Sequence, residues 1–92
     1  MINIVPEKDI DMLKALAHPV RLDIVNELIK KGGCNVSQLV EEINIPQSTV
    51  SQHLTKLRTT GIVRFDKLGQ ESYYRVENQK AKDIVEVVLK HK

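Results

Sequence analysis

Apolar residues recur along this chain at two different periods, and the change from one to the other predicts its organisation. Over residues about 7–17, EKDIDMLKALA, Ile10, Leu13 and Leu16/Ala17 fall at helical spacing, with acids in the first turn. Pro19 opens a second helix, about 19–31, because its missing N–H costs nothing at a first-turn position. The apolar set of that helix, Leu22, Ile24, Val25, Leu28 and Ile29, is broad enough for a central core element. KKGG ends it, with lysines in the last turn and Gly32 free to take positive φ. A short third helix, about 36–43, follows from Leu39, Val40 and Ile43, and Asn35 with Gln38 forms a variant capping box. NIP is then a tight turn, since Asn44 suits a left-handed C-cap. Pro46 sits at the entry of a fourth helix that runs to about Thr60 and is closed by Gly61. There the pattern changes. IVRFDK (62–67) and ESYYRV (71–76) are rich in β-branched and aromatic residues, and LGQ between them holds the glycine a hairpin needs. A last helix, about 78–90, carries Ala81, Ile84, Val85, Val88 and Leu89.

The order helix, helix, helix–turn–helix, hairpin, helix is that of a winged helix-turn-helix, a mainly α fold with a small β-hairpin. With 92 residues and no repeat, low-complexity tract or long linker, residues 1–92 are expected to form one such domain around a modest core. Two Tyr, one Phe and no Trp make that core aliphatic.

Helix four, PQSTVSQHLTKLRTTG, raises the functional question. At about 100° per residue, Val50, Leu54 and Leu57 share an arc of about 60° that has to face the core. The opposite face presents Ser48, Gln52, Thr55 and Thr59, flanked by Ser51 and Lys56. A helix exposed only to water would usually carry Glu/Lys pairs there. Short hydroxyls and an amide permit close approach and offer both donors and acceptors, which suits base edges in a major groove. Lys56 and Arg58 are then available for phosphates. On composition alone, a plain exposed face of serines and threonines remains the other reading. The hairpin weighs against it, because Arg64, Lys67 and Gln70 could reach phosphates or an adjacent minor groove.

Charge is distributed in the same sense. The net balance is only +2, but residues 47–76 hold five lysines and arginines against Asp66 and Glu71, whereas residues 1–46 hold five against seven acids. No apolar run approaches the ~18 residues that span a bilayer, and MINIVPEKDI has neither the basic nor the apolar region of a signal peptide. A cytoplasmic protein without membrane contact is the expectation. An enzyme is not: there is no Gly-rich phosphate loop, Ser/His/Asp or Cys/His arrangement, or paired carboxylate in an apolar setting. The alternatives to duplex DNA are a winged-helix module that binds protein or RNA, or a thiol-responsive regulator using Cys34. Single-strand binding would want exposed aromatics, and Tyr73 and Tyr74 alternate across a strand. Cys34, between Gly33 and Asn35, has no neighbouring cation to activate it, which favours an inert thiol. His18 reads as a capping or packing residue, His53 as structural or phosphate-contacting, and His91 as a frayed-end histidine.

LKALAHPVRLDIVNEL (13–28), PQSTVSQHLTKLRTTGIV (46–63) and GQESYYRV (69–76) together resemble the ArsR/SmtB family of bacterial winged-helix repressors. The resemblance implies a homodimer joined by the first and last helices, with helix four on double-stranded operator DNA and the hairpin as wing. The family's groove-facing positions fall at Gln47, Ser48, Ser51 and Gln52; the helical face identifies three of these independently, and Gln47 rests on the resemblance alone. The full DNA-binding set expected is Gln47, Ser48, Thr49, Ser51, Gln52, Thr55, Lys56, Arg58, Arg64, Lys67 and Gln70. The dimer interface is expected at Ile10, Leu13, Leu16, Ile84, Val85 and Val88. Met12, Ala15 and Val87 widen both stripes beyond one face, as in surfaces that associate.

The chain departs from the family at its metal sites. Where many members have two cysteines one residue apart, this chain has Asn35 and Ser37, with Cys34 one place early. Where others use Asp-x-His on the last helix, Asp83 is followed by Val85. No metal or other cofactor is therefore expected, and the sequence names no effector. Pro46 also stands where the family often has a serine cap.

Overall fold

The computed structural model describes residues 4–90, so His91 lies outside the described residues. The helices are α1 (Glu7–Leu16), α2 (Pro19–Lys31), α3 (Val36–Ile43), α4 (Gln47–Thr59) and α5 (Gln79–Lys90). Between α4 and α5 lie the hairpin strands β2 (Val63–Leu68) and β3 (Glu71–Val76). The predicted winged helix-turn-helix is present, with one addition. Cys34–Asn35 forms a short strand, β1, so the sheet has three antiparallel strands in the order β1-β3-β2. Two residues carry no alternation for a sequence pattern to show; β1 exists only because Cys34 and Asn35 come to lie opposite Tyr74 and Tyr73.

Element ends follow local chemistry. α1 stops one residue short of expectation because Ala17 leaves the helical region at φ −79, ψ 56. His18 then caps α2, its Nδ1 accepting from the Val20 N–H at 3.1 Å. Asn35 and Gln38 form the expected reciprocal capping box, both bonds 2.8 Å. Asn44 takes the left-handed conformation, φ 64, that ends α3. Pro46 stands just outside α4 as its N-cap, at φ −58 and ψ 146, with no side-chain cap bond. At the far end, Leu68 pairs with Glu71, leaving a two-residue turn in which Gly69 adopts φ 67.

The core is aliphatic throughout. Ile24, Val25 and Leu28 of α2 pack with Leu39 of α3, Val50, Leu54 and Leu57 of α4, Ile62, Val63, Val76, and Ala81 and Val85 of α5. Each Val, Leu or Ile among them contributes roughly 1.5–3 kcal/mol when fully buried. On α1 the stripe splits in two. Met12, Ala15 and Leu16 turn into the core, while Leu13 stays 43% exposed on the other side. Leu16 and Val85 thus belong to the chain's own core, at 4% and 1% exposure, leaving Leu13, Val87 and Val88 outward.

Candidate nucleic-acid interface

Three wholly buried side chains fix the roll of α4. With Val50, Leu54 and Leu57 sunk in the core, the helix can present only its other side. Gln47, Ser48 and Gln52 are exposed there, with Thr49 and Ser51 partly so. Among the described residues none of these five side chains has a protein hydrogen-bond partner. The same is not true further along. Thr55 Oγ1 donates to the Ser51 carbonyl and Thr59 Oγ1 to that of Lys56, both at 3.0 Å. These two hydroxyls spend their protons on the helix itself. The polar face is therefore divided: its N-terminal half keeps its donors and acceptors free, and its C-terminal half does not.

The turn Asn44–Pro46 sets α3 against α4, with Val40, Ile43 and Ile45 packed on the core beneath it. Pro46 supplies no capping side chain; the Thr49 and Val50 N–H groups bond its carbonyl at 3.1 Å, and those of Gln47 and Ser48 have no cap. The wing is tied to this unit through β1. Asn35, the cap of α3, donates from Nδ2 to Glu71 Oε1 of β3 at 3.2 Å.

The register sorts the wing's side chains. Val63, Phe65 and Lys67 share a face with Val76, Tyr74 and Ser72, and Arg64, Asp66 and Leu68 share the other with Arg75, Tyr73 and Glu71. Phe65 lies on Tyr74, ring centroids 5.3 Å apart, and the Arg58 guanidinium sits over Phe65 at 5.8 Å. Arg64 bonds Glu77 at 3.3 Å, while Arg75 bonds Asp66 at 3.0 Å and Glu77 at 2.8 Å. Of the five cations between residues 47 and 76, only Lys56 and Lys67 have no such partner among the described residues. The positive charge free for an anion is thus smaller than the sequence balance implied. Gln70 is exposed at the wing tip. Tyr73 directs its hydroxyl to Glu71 at 3.1 Å, so neither tyrosine is a free stacking platform.

Sequence reading missed the ion pairs at the base of the wing, because they depend on register and on Glu77 beyond the strand. It also missed a contact between His53 and His18, whose ring centroids are 4.6 Å apart. Burial, then His18 and Arg21, push the proton affinity of His53 down. Burial, with Glu27 adding to it, pushes the Cys34 thiol up, and Lys31 opposes this without prevailing. Cys34 does have a cation nearby, then, although sequence neighbours suggested none. Among the described residues no three His, Cys, Asp or Glu side chains are grouped to hold a metal. No helix of the described chain is long and apolar enough to cross a membrane.

Between α1, α2 and α5, Leu13, Leu16, Ala17, Leu22, Ile84 and Val88 line an apolar recess of about 260 Å³. Ile84 is half-buried in it and Val88 is 54% exposed, while Ile10 on α1 is half-buried.

Comparison with known proteins gives a consistent answer. Residues 18–64 match the family described as bacterial regulatory protein, arsR family. The chain is 44% identical over 82 residues to the transcriptional repressor PagR of Bacillus anthracis, covering 89% of this chain and 82% of that protein. The crystal structure of PagR superposes with a TM-score of 0.84, covering 89% of this chain and 93% of PagR. HlyU from Vibrio cholerae superposes at 0.85 with 31% identity, over 91% of this chain and 90% of HlyU. The repressor SmtB of Mycobacterium tuberculosis is 38% identical over 81 residues, 88% of this chain and 59% of SmtB.

Proposed function

The chain belongs to the arsR family of bacterial regulatory proteins, and from that premise we propose that it is a homodimeric repressor in which α4 reads the major groove of a duplex operator. The hairpin β2–β3 serves as wing. The observation that carries this reading is the division of α4. Its buried side locks the helix in place, and its exposed N-terminal half keeps Gln47, Ser48, Ser51 and Gln52 unpartnered. Unspent amide and hydroxyl groups on a rigid helix are what base-edge recognition requires.

Backbone contacts fall to Lys56 and Lys67, the cations with no internal partner, with Thr49, Thr55, Arg58 and Gln70 beside them. Arg64 can join only by leaving Glu77. Dimerisation uses the outer faces of α1 and α5. There Leu13, Ile84 and Val88 line the apolar recess, and Ile10, half-buried on α1, extends the face. Leu16 forms part of the recess wall, and Val85 supports α5 from within the core. Repression then needs no chemistry: a dimer seated on two half-sites blocks access to the DNA it covers. Metal control is not part of this reading, since Asn35, Ser37 and Val85 stand at the ligand positions.

Selection of bound sequences from a random duplex pool tests the proposal. Two related half-sites with centres about one helical turn apart are expected. A pool that stays random, or a single isolated site, contradicts it.

A further inference from the structure

Three nitrogen-bearing side chains meet where α1, α2 and α4 come together, beside the surface assigned to DNA. Arg21, in the first turn of α2, donates from Nε to the Ala15 carbonyl of α1 at 2.6 Å. Its Nη1 stands 3.4 Å from Nδ1 of His53 on α4. The His53 ring lies against that of His18, tilted by 52°. Nδ1 of His18 is already occupied, accepting from the Val20 N–H. Each imidazole therefore uses its Nδ1 lone pair as an acceptor, and the neutral ring carries its proton on Nε2.

A guanidinium donates hydrogen bonds and accepts none. The Arg21–His53 contact can exist only while His53 Nδ1 is bare. A proton there removes the acceptor and places an imidazolium against a guanidinium. The titratable and charged groups that bear on His53 are His18, from the α1–α2 junction, and Arg21, from α2. Among the described residues no carboxylate is ion-paired with any of the three, so nothing local offsets the added charge. His53 also lies between Gln52, on the reading face, and Leu54, in the core. A shift of the α4 backbone at His53 would carry both with it.

We propose that Arg21 and His53 form a proton-sensitive latch that seats α4 against α1 and α2, so that operator binding weakens when His53 takes up a proton. The latch rests on α4 being the reading helix. It also connects α1, whose outer face carries Leu13, to the DNA-facing helix through one arginine. Linkage is reciprocal: if a proton opposes binding, binding opposes the proton.

A labelled duplex recovered from a random pool at about pH 7.5 is titrated with the full chain between about pH 7.5 and 5.5, wild type beside His53→Gln. The glutamine amide oxygen can accept from Arg21 but takes no proton. Wild type is expected to lose about tenfold in affinity, the equivalent of one pKa unit of coupling. His53→Gln should lose markedly less and match wild type at pH 7.5. A second measurement needs no substitution. The His53 ring resonance, followed by NMR against pH, should titrate lower in the complex than in the free protein. Parallel pH profiles for the two proteins overturn the latch. So does a His53 titration that moves higher on binding, the mark of a ring touching phosphate. Failure of wild type to select any duplex at pH 7.5 instead refutes α4 as the reading helix, and the latch with it.

Discussion

Arg64 and Arg75 stand directly opposite each other across β2 and β3, and both bond the same carboxylate, that of Glu77 just beyond the end of β3. Like charges facing across a strand pair repel. Glu77 converts the repulsion into a clamp, and Asp66 completes it from the diagonal position on β2. The wing is thereby fixed at its base while its tip, with Lys67 and Gln70, stays free.

Removing the clamp should change binding in a definite direction. Glu77→Gln deletes a negative charge beside the DNA-facing surface and releases Arg64. Nonspecific duplex binding is expected to tighten, with the log–log salt slope steeper by about one per subunit. Amide exchange in β2 and β3 should accelerate at the same time. An unchanged slope would show that Arg64 never reaches phosphate.

Acid should destabilise the fold through His53. Its proton affinity is lowered in the folded chain, so between the folded value and the ordinary 6.5 the unfolded state binds more protons. Stability is therefore full above about pH 6.5 and declines as pH falls below it. Denaturant unfolding measured down this range should show the decline in wild type and less of it in His53→Gln. Identical profiles contradict the assignment.

Association is expected to depend on the apolar recess. Leu13→Glu or Val88→Glu would place an unpaired charge in the interface, an arrangement that costs several kcal/mol when buried. Leu13 and Val88 are 43% and 54% exposed in the single chain, so the fold itself should persist. Sedimentation at micromolar concentration should then report a folded monomer; a dimer that survives either change refutes this interface.

Zinc or cadmium in modest excess should leave duplex affinity unchanged, because Asn35, Ser37 and Val85 replace the expected ligands. A tenfold loss of binding that a chelator reverses would reveal a metal site of another design.

Periodicity and capping chemistry made the helices legible. Pro19, the Asn35–Gln38 box and Asn44 each mark a boundary through a local bond or dihedral, and the structure forms each of them. The core side of α4 was readable for the same reason: Val50, Leu54 and Leu57 recur at the helical period. What sequence could not resolve depends on contacts between distant residues. β1 exists through Tyr73 and Tyr74, some forty positions away. The division of the α1 stripe into Leu16 inside and Leu13 outside depends on how α1 packs in three dimensions. The charge count overstated the free cations, since the pairing of Arg64 and Arg75 follows from strand register and from Glu77.

In the proposed complex α4 reads bases and the wing touches phosphate. Gln52 is exposed and unpartnered on the reading half of α4, and Lys67 is exposed near the wing tip without an ion-pair partner among the described residues. A glutamine pairing with adenine contributes ~1–3 kcal/mol of discrimination at one base position. Binding of Gln52→Ala and Lys67→Ala to cognate and scrambled duplexes, measured across a salt series, separates the two roles. Gln52→Ala should weaken cognate binding and relax preference at one position, leaving scrambled binding nearly intact. Lys67→Ala should weaken both duplexes alike and reduce the salt slope by about one per subunit. If Gln52→Ala behaves as Lys67→Ala does, α4 is not the element that reads the operator.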